Sequence, residues 1–487
     1  MIDRLRNPKV AASVVFVATL FMTILDSTIV NVALPSIAAQ FDANTASVGA
    51  VASAYLVSLG VFIPAAGWLG DRFGGKRVLL TALVLFTVAS ALCGLATSLP
   101  ELVVFRVLQG AGGGMLTPVG MAMLFRAFPQ EERMRASRIL VVPTAIAPAI
   151  GPVLGGLLVD WLSWRWIFWV NIPIGLAVLA FGVGFLAEQR SERSSSFDVP
   201  GFLLAGLGLA GVLYALTQGS ADGWTSPEIL VAGLGGLVLL GGLWLRETRA
   251  QHPMLDVRLL GNRLFGSSTL VMLLGFGAFI GTLYAFAQFQ QVALGRSPLE
   301  SGLLTCPEAI GVICFSQVAA HLYMRFGPRR VVAGGLLGTA LFTAVIALET
   351  AATPLPLVLL VMFALGASMA NIFISLQTAA FAQISTASTG HVSSLYNAIR
   401  QTGAALGVSV LATVISVVSP GTPSALLGAL SPSAGNDPYQ AAFLTASGIT
   451  LVAFALAATM IRDTDASATR ATVVRERDEL PPLPLID

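Results

Sequence analysis

The amino-acid sequence predicts an all-α integral membrane protein with 14 transmembrane helices, arranged as two six-helix bundles related by pseudo-twofold symmetry, plus a two-helix insert. Three observations support this fold class. Of the 487 residues, 55% are hydrophobic and only 11% are charged, whereas about a quarter of a soluble globular chain is charged. Apolar stretches of about 20 residues, the length that crosses a bilayer, recur along the chain. A short motif also occurs twice, at equivalent places relative to these stretches.

The predicted spans begin directly after the basic N-terminal segment and continue almost to the C-terminus. The seventh and eighth are short and rich in glycine, and they are the least regular members of the series. In chain order the fourteen stretches are 10–34, 48–69, 78–98, 101–124, 138–159, 166–187, 199–217, 228–246, 265–291, 299–322, 331–351, 355–380, 394–417 and 439–461.

The orientation of the spans follows from arginine and lysine, which accumulate in cytoplasmic loops. With a cytoplasmic N-terminus, 23 of the 27 Arg and Lys residues fall on the cytoplasmic side. Only Arg165 and Arg296 fall on the other side, while Arg106 and Arg400 lie inside predicted spans. One miscounted helix would reverse every later loop. We therefore expect a multi-pass plasma-membrane protein, in a bacterial inner membrane, with both termini cytoplasmic.

The repeated motif divides the chain into two halves. DRFGGKRV at 71–78 follows the second span, and MRFGPRRV at 324–331 follows the tenth, 253 residues later. Setting aside spans seven and eight as an insert leaves six spans in each half, a plan typical of transporters whose substrate site lies between the halves. The predicted units are an N-terminal bundle (1–198), the insert with its linker (199–263), a C-terminal bundle (264–462) and a polar cytoplasmic tail (463–487).

The sequence lacks the residue patterns of an enzyme or a cofactor-binding protein. The three cysteines and three histidines are scattered, without the spacing of a metal site. There is no HExxH motif and no P-loop. A net charge of +2 gives no indication of nucleic-acid binding. We expect no enzymatic activity, no metal, no cofactor and no nucleotide.

Several motifs resemble those of one transporter family, in the same order along the chain. They are LDSTIVNVALPSI (25–37), GWLGDRFGGKRVLL (67–80), LVVFRVLQGAGGG (102–114), APAIGPVLGG (147–156), WRWIFWVNIPIG (164–175) and RQTGAALG (400–407). Together they resemble the major facilitator superfamily, in its fourteen-span drug:proton antiporter branch. The second copy of the loop motif departs from the first, since Met324 stands where Asp71 does.

The resemblance assigns roles to two groups of residues. It implies that the loop acts as a conformational gate, through Gly67, Asp71, Arg72, Gly74 and Arg77. It implies that the fifth span seals the outer half against proton leak, through Pro148, Gly151, Pro152, Gly155 and Gly156. The alternatives are that the loop cations only anchor the topology and that the glycines only allow tight helix packing. We further hypothesise that Asp71 docks on a helix end or a cation of the other half.

Ionisable residues inside the membrane are candidate functional groups, because each is costly to bury there. Asp26 and Arg106 form the predicted proton-coupling pair, in which Arg106 competes with a proton for the Asp26 carboxylate. The alternative is a static pair that only fixes packing. Glu308 could bind a cationic substrate, carry a second proton, or simply face water. Arg400 lies near the inner interface, where snorkelling would also explain it.

Polar side chains within the spans are further candidates for a substrate cavity. These are Asn31, Gln109, Tyr284, Gln288 and Asn371, together with Glu308. Tyr284 could offer an aromatic face to a lipophilic cation, although aromatic residues in a span also commonly face lipid.

The sequence therefore predicts proton-coupled secondary active efflux of lipophilic, cationic drugs or antibiotics across the plasma membrane by alternating access. The alternative is a dedicated exporter of one endogenous metabolite, antibiotic, siderophore or lipid on the same fold. The expected partners are a small lipophilic substrate, protons and the bilayer, with the protein acting as a monomer.

Overall fold

The computed structural model describes residues 7–43, 45–129, 132–139, 141–188, 198–250, 255–384, 388–418 and 438–463. These segments form α-helices joined by short turns, and no strand occurs within them. In chain order the helices are α1 (Pro8–Phe41), α2 (Thr45–Phe73), α3 (Gly75–Leu95), α4 (Leu99–Ala127), α5 (Arg133–Ile139), α6 (Val141–Trp161), α7 (Trp166–Trp169), α8 (Asn171–Phe185), α9 (Val199–Asp222), α10 (Pro227–Glu247), α11 (Arg263–Gln288), α12 (Pro298–Phe326), α13 (Pro328–Ile346), α14 (Leu355–Phe381), α15 (Thr389–Val418) and α16 (Pro438–Met460). A 3₁₀ turn (Val257–Gly261) precedes α11, and a π turn (Phe289–Ala293) follows it.

Short polar caps start several of these long apolar helices. The Asn7 side chain accepts a hydrogen bond from Lys9 N at the start of α1. At the start of α12, Ser297 and Glu300 form a reciprocal capping box with Pro298 in the first turn. Such caps satisfy backbone N–H groups that have no partner within the helix, so the sequence marks the helix starts locally.

Among the described residues, thirteen helices are long and apolar enough to cross a membrane. They agree in position with thirteen of the fourteen predicted spans. The remaining predicted span, 138–159, corresponds to α6, which is not one of the thirteen, so the exact count of fourteen stays a prediction.

The same pattern of helix packing occurs in both halves. In the first half α1 packs against α6 and α8, α4 packs against α2 and α3, and α3 packs against α8. In the second half α11 packs against α15 and α16, α14 against α12 and α13, and α13 against α16. These pairs correspond one to one, as expected for a repeated six-helix unit.

The repeated loop motif forms the same turn in each half. Gly74 and Gly327 adopt φ angles of 98° and 86°, which residues with a side chain rarely adopt. The Glu188 carboxylate accepts from Lys76 N at 3.0 Å, and Asp463 accepts from Arg329 N at 3.0 Å. Each half thus caps its third span with an acidic residue that follows its sixth.

Helix α9 of the insert packs against both α2 and α15 and therefore touches both halves. Ser53 of α2 donates to Gln218 at 3.0 Å, and Trp224 donates to Thr413 of α15 at 2.8 Å. Asp198 closes the insert by an ion pair with Arg246. Burial alone would raise the pKa of Asp198, but hydrogen bonds from Arg246 and Gly201 N, and the charge of Arg246, outweigh it and lower that pKa. The domain boundaries drawn from the sequence remain predictions.

Candidate functional site

A buried polar network surrounds Asp26 in the middle of α1. Arg106 Nη1 of α4 donates to Asp26 Oδ2 at 2.6 Å. The second carboxylate oxygen accepts from Gln109 Nε2 at 2.7 Å and from Asn171 Nδ2 at 3.0 Å. Asp26, Arg106, Gln109 and Asn171 are all at most 1% exposed. Both oxygens of the carboxylate are therefore hydrogen-bonded, and the group is shielded from solvent in this conformation.

Arg106 is held on several sides. Its Nε donates to Val51 O at 3.1 Å, and its Nη1 also donates to Gln109 Oε1 at 2.7 Å. The guanidinium lies over the Tyr55 ring, 4.2 Å from the centroid. Since a buried charge is tolerated only when paired and hydrogen-bonded, this arrangement accounts for an arginine in the middle of an apolar bundle.

Two members of the network were not among the predicted site residues. Asn171 of α8 donates to Ser90 Oγ of α3 at 3.1 Å as well as to Asp26, and Ser90 in turn donates to Phe168 O at 2.8 Å. Asn171 belongs to the WRWIFWVNIPIG motif. An amide side chain inside an apolar span was the signal in the sequence that could have identified it as a site residue. Gln109, predicted to line the cavity, instead belongs to this network, because it lies three residues after Arg106 on the same helix face.

The fifth-span helix, α6, approaches α1 closely through two of its predicted glycines. A Cβ at Gly155 would lie 3.0 Å from Ile29 Cγ1, and a Cβ at Gly151 would collide with the Thr28 side chain. Gly156 has no neighbour within 4 Å of the corresponding point. The side chains of Pro148 and Pro152 lie outside the described part of the structure.

The second half contains an equivalent glycine pair, 252 residues later, which the sequence comparison of the two halves did not reveal. Gly403 and Gly407 of α15 lie against the backbone of α11, where the facing residues are Gly277 and Gly281. A Cβ at Gly281 would lie 2.7 Å from Gly407 O. The RQTGAALG motif therefore forms the second-half counterpart of the α1–α6 contact.

The predicted gate residue Asp71 lies at the junction of the two halves. Its carboxylate pairs with Arg126 of α4 and lies beside the first turn of α15, where a Cβ on Gly390 would be 2.9 Å from Asp71 Oδ2. One helical turn earlier, Gly67 N donates to Ser394 Oγ of α15 at 3.0 Å. The other members of the motif lie around the turn: Arg72 is exposed, Gly74 has the positive φ, and Arg77 is 3.7 Å from Glu188.

Further contacts join the halves at this end of the bundle, which we call the inner end because the charge count predicts that it faces the cytoplasm. Phe125 of α4 stacks on Phe381 of α14 with ring centroids 4.3 Å apart. Thr378 donates to Ser137 Oγ at 3.0 Å. Gln377, one turn before Phe381, is fully buried, and no described residue hydrogen-bonds its amide. The structure is thus closed at the inner end.

A cavity of about 80 Å³ lies between the first half and α15. Its apolar wall comes from α1 and α2, including Leu20, Ile24 and Leu56. Its polar lining consists of Thr23, Ser27, Thr117, Asn397, Arg400 and Gln401, and Tyr55 also borders it. Drug-sized pockets occupy about 300–1,000 Å³, so this conformation would have to widen to hold a whole substrate.

Among the described side chains, the remaining predicted cavity residues do not line this space. Glu308 of α12 is buried, and its backbone lies against Gly366 of α14. Asn371 donates to Ala367 O within its own helix, and Tyr284 and Gln288 lie one turn apart on α11. The side chain of Asn31 lies outside the described residues. Their assignment to a substrate cavity remains a prediction.

The model of the Major Facilitator Superfamily matches residues 16–408. The chain belongs to the major facilitator superfamily. Members of this family are transporters, so this is a membrane transporter and not an enzyme.

Curated relatives of this family member carry multidrug-resistance names. The putative multidrug resistance protein MdtD of Pectobacterium atrosepticum is 32% identical over 402 residues, covering 82% of this chain and 85% of that protein. MdtD of Yersinia enterocolitica is 34% identical over 406 residues, covering 82% and 84%. The multidrug resistance protein B homolog of Mycobacterium tuberculosis is 31% identical over 419 residues, covering 85% and 77%.

Two solved structures share the superfamily fold. The human organic anion transporter MFSD10 aligns with a TM-score of 0.67 over 92% of this chain and 99% of that chain, at 17% identity. The proton:xylose symporter XylE, bound to 6-bromo-6-deoxy-D-glucose, aligns with a TM-score of 0.63 over 96% and 98%, also at 17% identity. At this identity the likeness establishes the fold alone.

Proposed function

We propose that this transporter exports lipophilic drugs, including cations, in exchange for protons, by alternating access across the plasma membrane. It would act as a monomer with both termini in the cytoplasm. The observation that supports proton coupling is the buried Asp26–Arg106 pair beside the cavity. The multidrug-resistance names of its relatives support drugs as the substrate class.

Protonation of Asp26 would change the balance of forces in the network. The ionised carboxylate accepts hydrogen bonds from Arg106, Gln109 and Asn171, whereas a protonated one turns an acceptor into a donor. Arg106 would then lose its counter-charge in a site where an unpaired charge is costly. Since Asp26 is on α1 and Arg106 on α4, relief of that cost favours a movement of α1.

Tyr55 links this network to the substrate space. Its ring contacts the Arg106 guanidinium and also borders the cavity. A substrate against Tyr55 would therefore disturb Arg106. Because Arg106 is the counter-charge of Asp26, this disturbance would change the protonation equilibrium of Asp26. Because Asp26 is inaccessible to water in the present conformation, proton exchange with solvent would need the other access states.

Replacement of Asp26 by Asn tests the coupling. We expect ethidium efflux driven by an imposed pH gradient in proteoliposomes to fall at least about a hundredfold, since Asn has no ionisable group to exchange a proton. Asp42→Asn is the matched control, because Asp42 caps the same helix at its exposed end, in a left-handed conformation that Asn adopts readily. Proton-driven efflux at the wild-type rate in Asp26→Asn would remove Asp26 from the mechanism.

The alternative, a dedicated exporter of one metabolite, antibiotic, siderophore or lipid, has the same mechanism and a narrower substrate range. An efflux panel of charged and neutral compounds, run with and without a protonophore, separates the two. Export of several unrelated compounds supports multidrug efflux, and export of a single class supports the alternative.

A further inference from the structure

Arg400 gives the cavity an uncompensated positive charge. It borders the cavity together with hydroxyl and amide side chains, and none of the described residues that line this space is a carboxylate. Its Nη2 donates to Asn397 Oδ1 at 3.1 Å, and its guanidinium lies 5.6 Å from the centroid of Phe276. Both contacts orient the arginine, but neither neutralises its charge.

The contrast with Arg106 shows what Arg400 lacks. Arg106 has the Asp26 carboxylate at 2.6 Å, whereas no ion pair involves Arg400 among the described residues. Asp26 is adjacent in sequence to Ser27, which lines the cavity, but its two oxygens already accept from Arg106, Gln109 and Asn171. An arginine within a membrane protein normally faces a counter-charge or an aqueous pathway.

We infer that Arg400 is a binding site for an anionic group of the substrate, so that this transporter accepts lipophilic carboxylates and zwitterions in addition to cations. A guanidinium presents two parallel N–H groups to a carboxylate. Neutral hydrogen-bonding groups line the cavity around Arg400, from Thr23, Ser27, Thr117 and Gln401. The aliphatic wall of the cavity suits an apolar ring of the substrate. The inference deepens the proposed function by adding a substrate class at the same cavity.

Two helices would sense such a ligand. Arg400 lies on α15, which carries the Gly403–Gly407 contact with α11 and, at its first turn, the contact with Asp71. The opposite wall belongs to α1, which carries Asp26. A carboxylate held between these walls would connect the second half to the proton-coupling helix of the first.

The test measures equilibrium binding of radiolabelled 1-naphthoate and its neutral analogue 1-naphthamide to the purified full-length protein, without a pH gradient. We expect wild-type protein to bind the carboxylate about tenfold or more tightly than the amide, as a charge-assisted hydrogen bond would give. Arg400→Gln should abolish that preference and leave amide binding within about twofold. Arg400→Lys, which keeps the charge but loses the fork, should retain part of the preference.

Arg263→Gln is the matched control, because Arg263 is exposed and its side chain donates a hydrogen bond to the Met460 carbonyl. We expect this variant to bind both probes as wild type does. Equal loss of naphthoate and naphthamide binding in both Arg400 variants, or an unchanged preference in Arg400→Gln, would overturn the inference.

A separate measurement of proton-driven tetraphenylphosphonium efflux by the wild-type protein keeps the two proposals apart. If that efflux is absent while naphthoate binding depends on Arg400, the proposed function fails and the anion site stands. If proton-driven efflux is present while naphthoate binding does not depend on Arg400, only the proposal of an anion site fails.

Discussion

At the scale of single residues, Glu308 is a buried acidic group inside the bundle. It is 5% exposed, and no described residue forms an ion pair with it. It lies ten residues after the first residue of α12, which corresponds to a depth of about 15 Å along the helix. A carboxylate in such a place is stabilised by any cation that reaches it, whether a proton or a charged substrate.

Replacement of Glu308 by Gln distinguishes these roles. We expect efflux of tetraphenylphosphonium to fall about tenfold and efflux of a neutral lipophilic compound to stay within about twofold, because only the cation loses a charge partner. The measurement is the initial efflux rate of each compound. Glu300→Gln is the control, since Gln preserves the capping box at the exposed start of the same helix. An equal effect on both compounds would contradict cation pairing at Glu308.

At the scale of helices, the glycines of α6 and α15 determine how closely neighbouring helices approach. Gly151 and Gly155 bring α6 against α1, and Gly403 and Gly407 bring α15 against α11. Each contact joins the first and fifth spans of its half. Because α1 carries Asp26 and α15 carries Arg400, these contacts set the positions of both charged candidates relative to the cavity.

A valine at Gly155 should disturb this arrangement, and one at Gly156 should not. A side chain at Gly155 would meet Ile29 of α1 and overpack a tight contact, whereas the same point at Gly156 is open. We expect Gly155→Val to lower proton-driven efflux about tenfold and to raise passive proton leak, measured with a pH-sensitive dye in proteoliposomes. Gly156→Val should behave as wild type. Similar efflux and proton leak in the two variants would mean that the glycine motif serves only helix packing and does not prevent proton leak.

At the scale of the whole molecule, contacts between the halves hold the inner end closed. They include the Asp71 carboxylate against α15, the Phe125–Phe381 stack and the Thr378–Ser137 hydrogen bond. The buried amide of Gln377, which no described residue hydrogen-bonds, opposes this closure, because an unpaired buried polar group costs about 1–3 kcal/mol. Opening of the inner end would hydrate that amide. The free-energy cost of burying the amide therefore offsets part of the stability of the closed state.

Neutralising Asp71 should shift this balance toward inner opening. In Asp71→Asn the ion pair with Arg126 is lost. The variant also removes a negative charge beside the N-terminus of α15, where the helix dipole makes such a charge favourable. The measurement uses a single cysteine at position 377, in a chain from which Cys93, Cys306 and Cys314 have been removed. We expect this cysteine to react with a maleimide about tenfold faster in the Asp71→Asn variant than in the protein that retains Asp71. Asp256→Asn, at a half-buried position where Asn keeps the cap of the 3₁₀ turn, serves as the control. Unchanged labelling and transport would leave the loop as a topology anchor only.

Much of this architecture was predictable because its determinants are local in sequence. The apolar lengths identify thirteen of the predicted spans in the structure, and the arginine pattern predicts their orientation. The motifs identify the superfamily, and the intramembrane charges identify Asp26 and Arg106 as the pair to examine. The repeated loop motif identifies the two turns at Gly74 and Gly327. Each of these signals lies within a few residues or within one helix length.

The contents of the site could not be read in the same way. The spans are apolar on all sides, so the sequence gives little indication of which face of each helix points inward. The rotation of each helix is fixed by packing between segments far apart in the chain. That packing brings Asn171 and Gln109 to Asp26, and it places Arg400, and not Glu308 or Asn371, beside the cavity.

The sequence by itself therefore determined that this protein is a multi-span transporter with buried charges, since hydrophobic length and charge are properties of individual segments. The tertiary structure alone decided which of those charges are paired and which border the cavity. The physical reason is that compensation of a buried charge depends on a few ångströms between side chains of different helices.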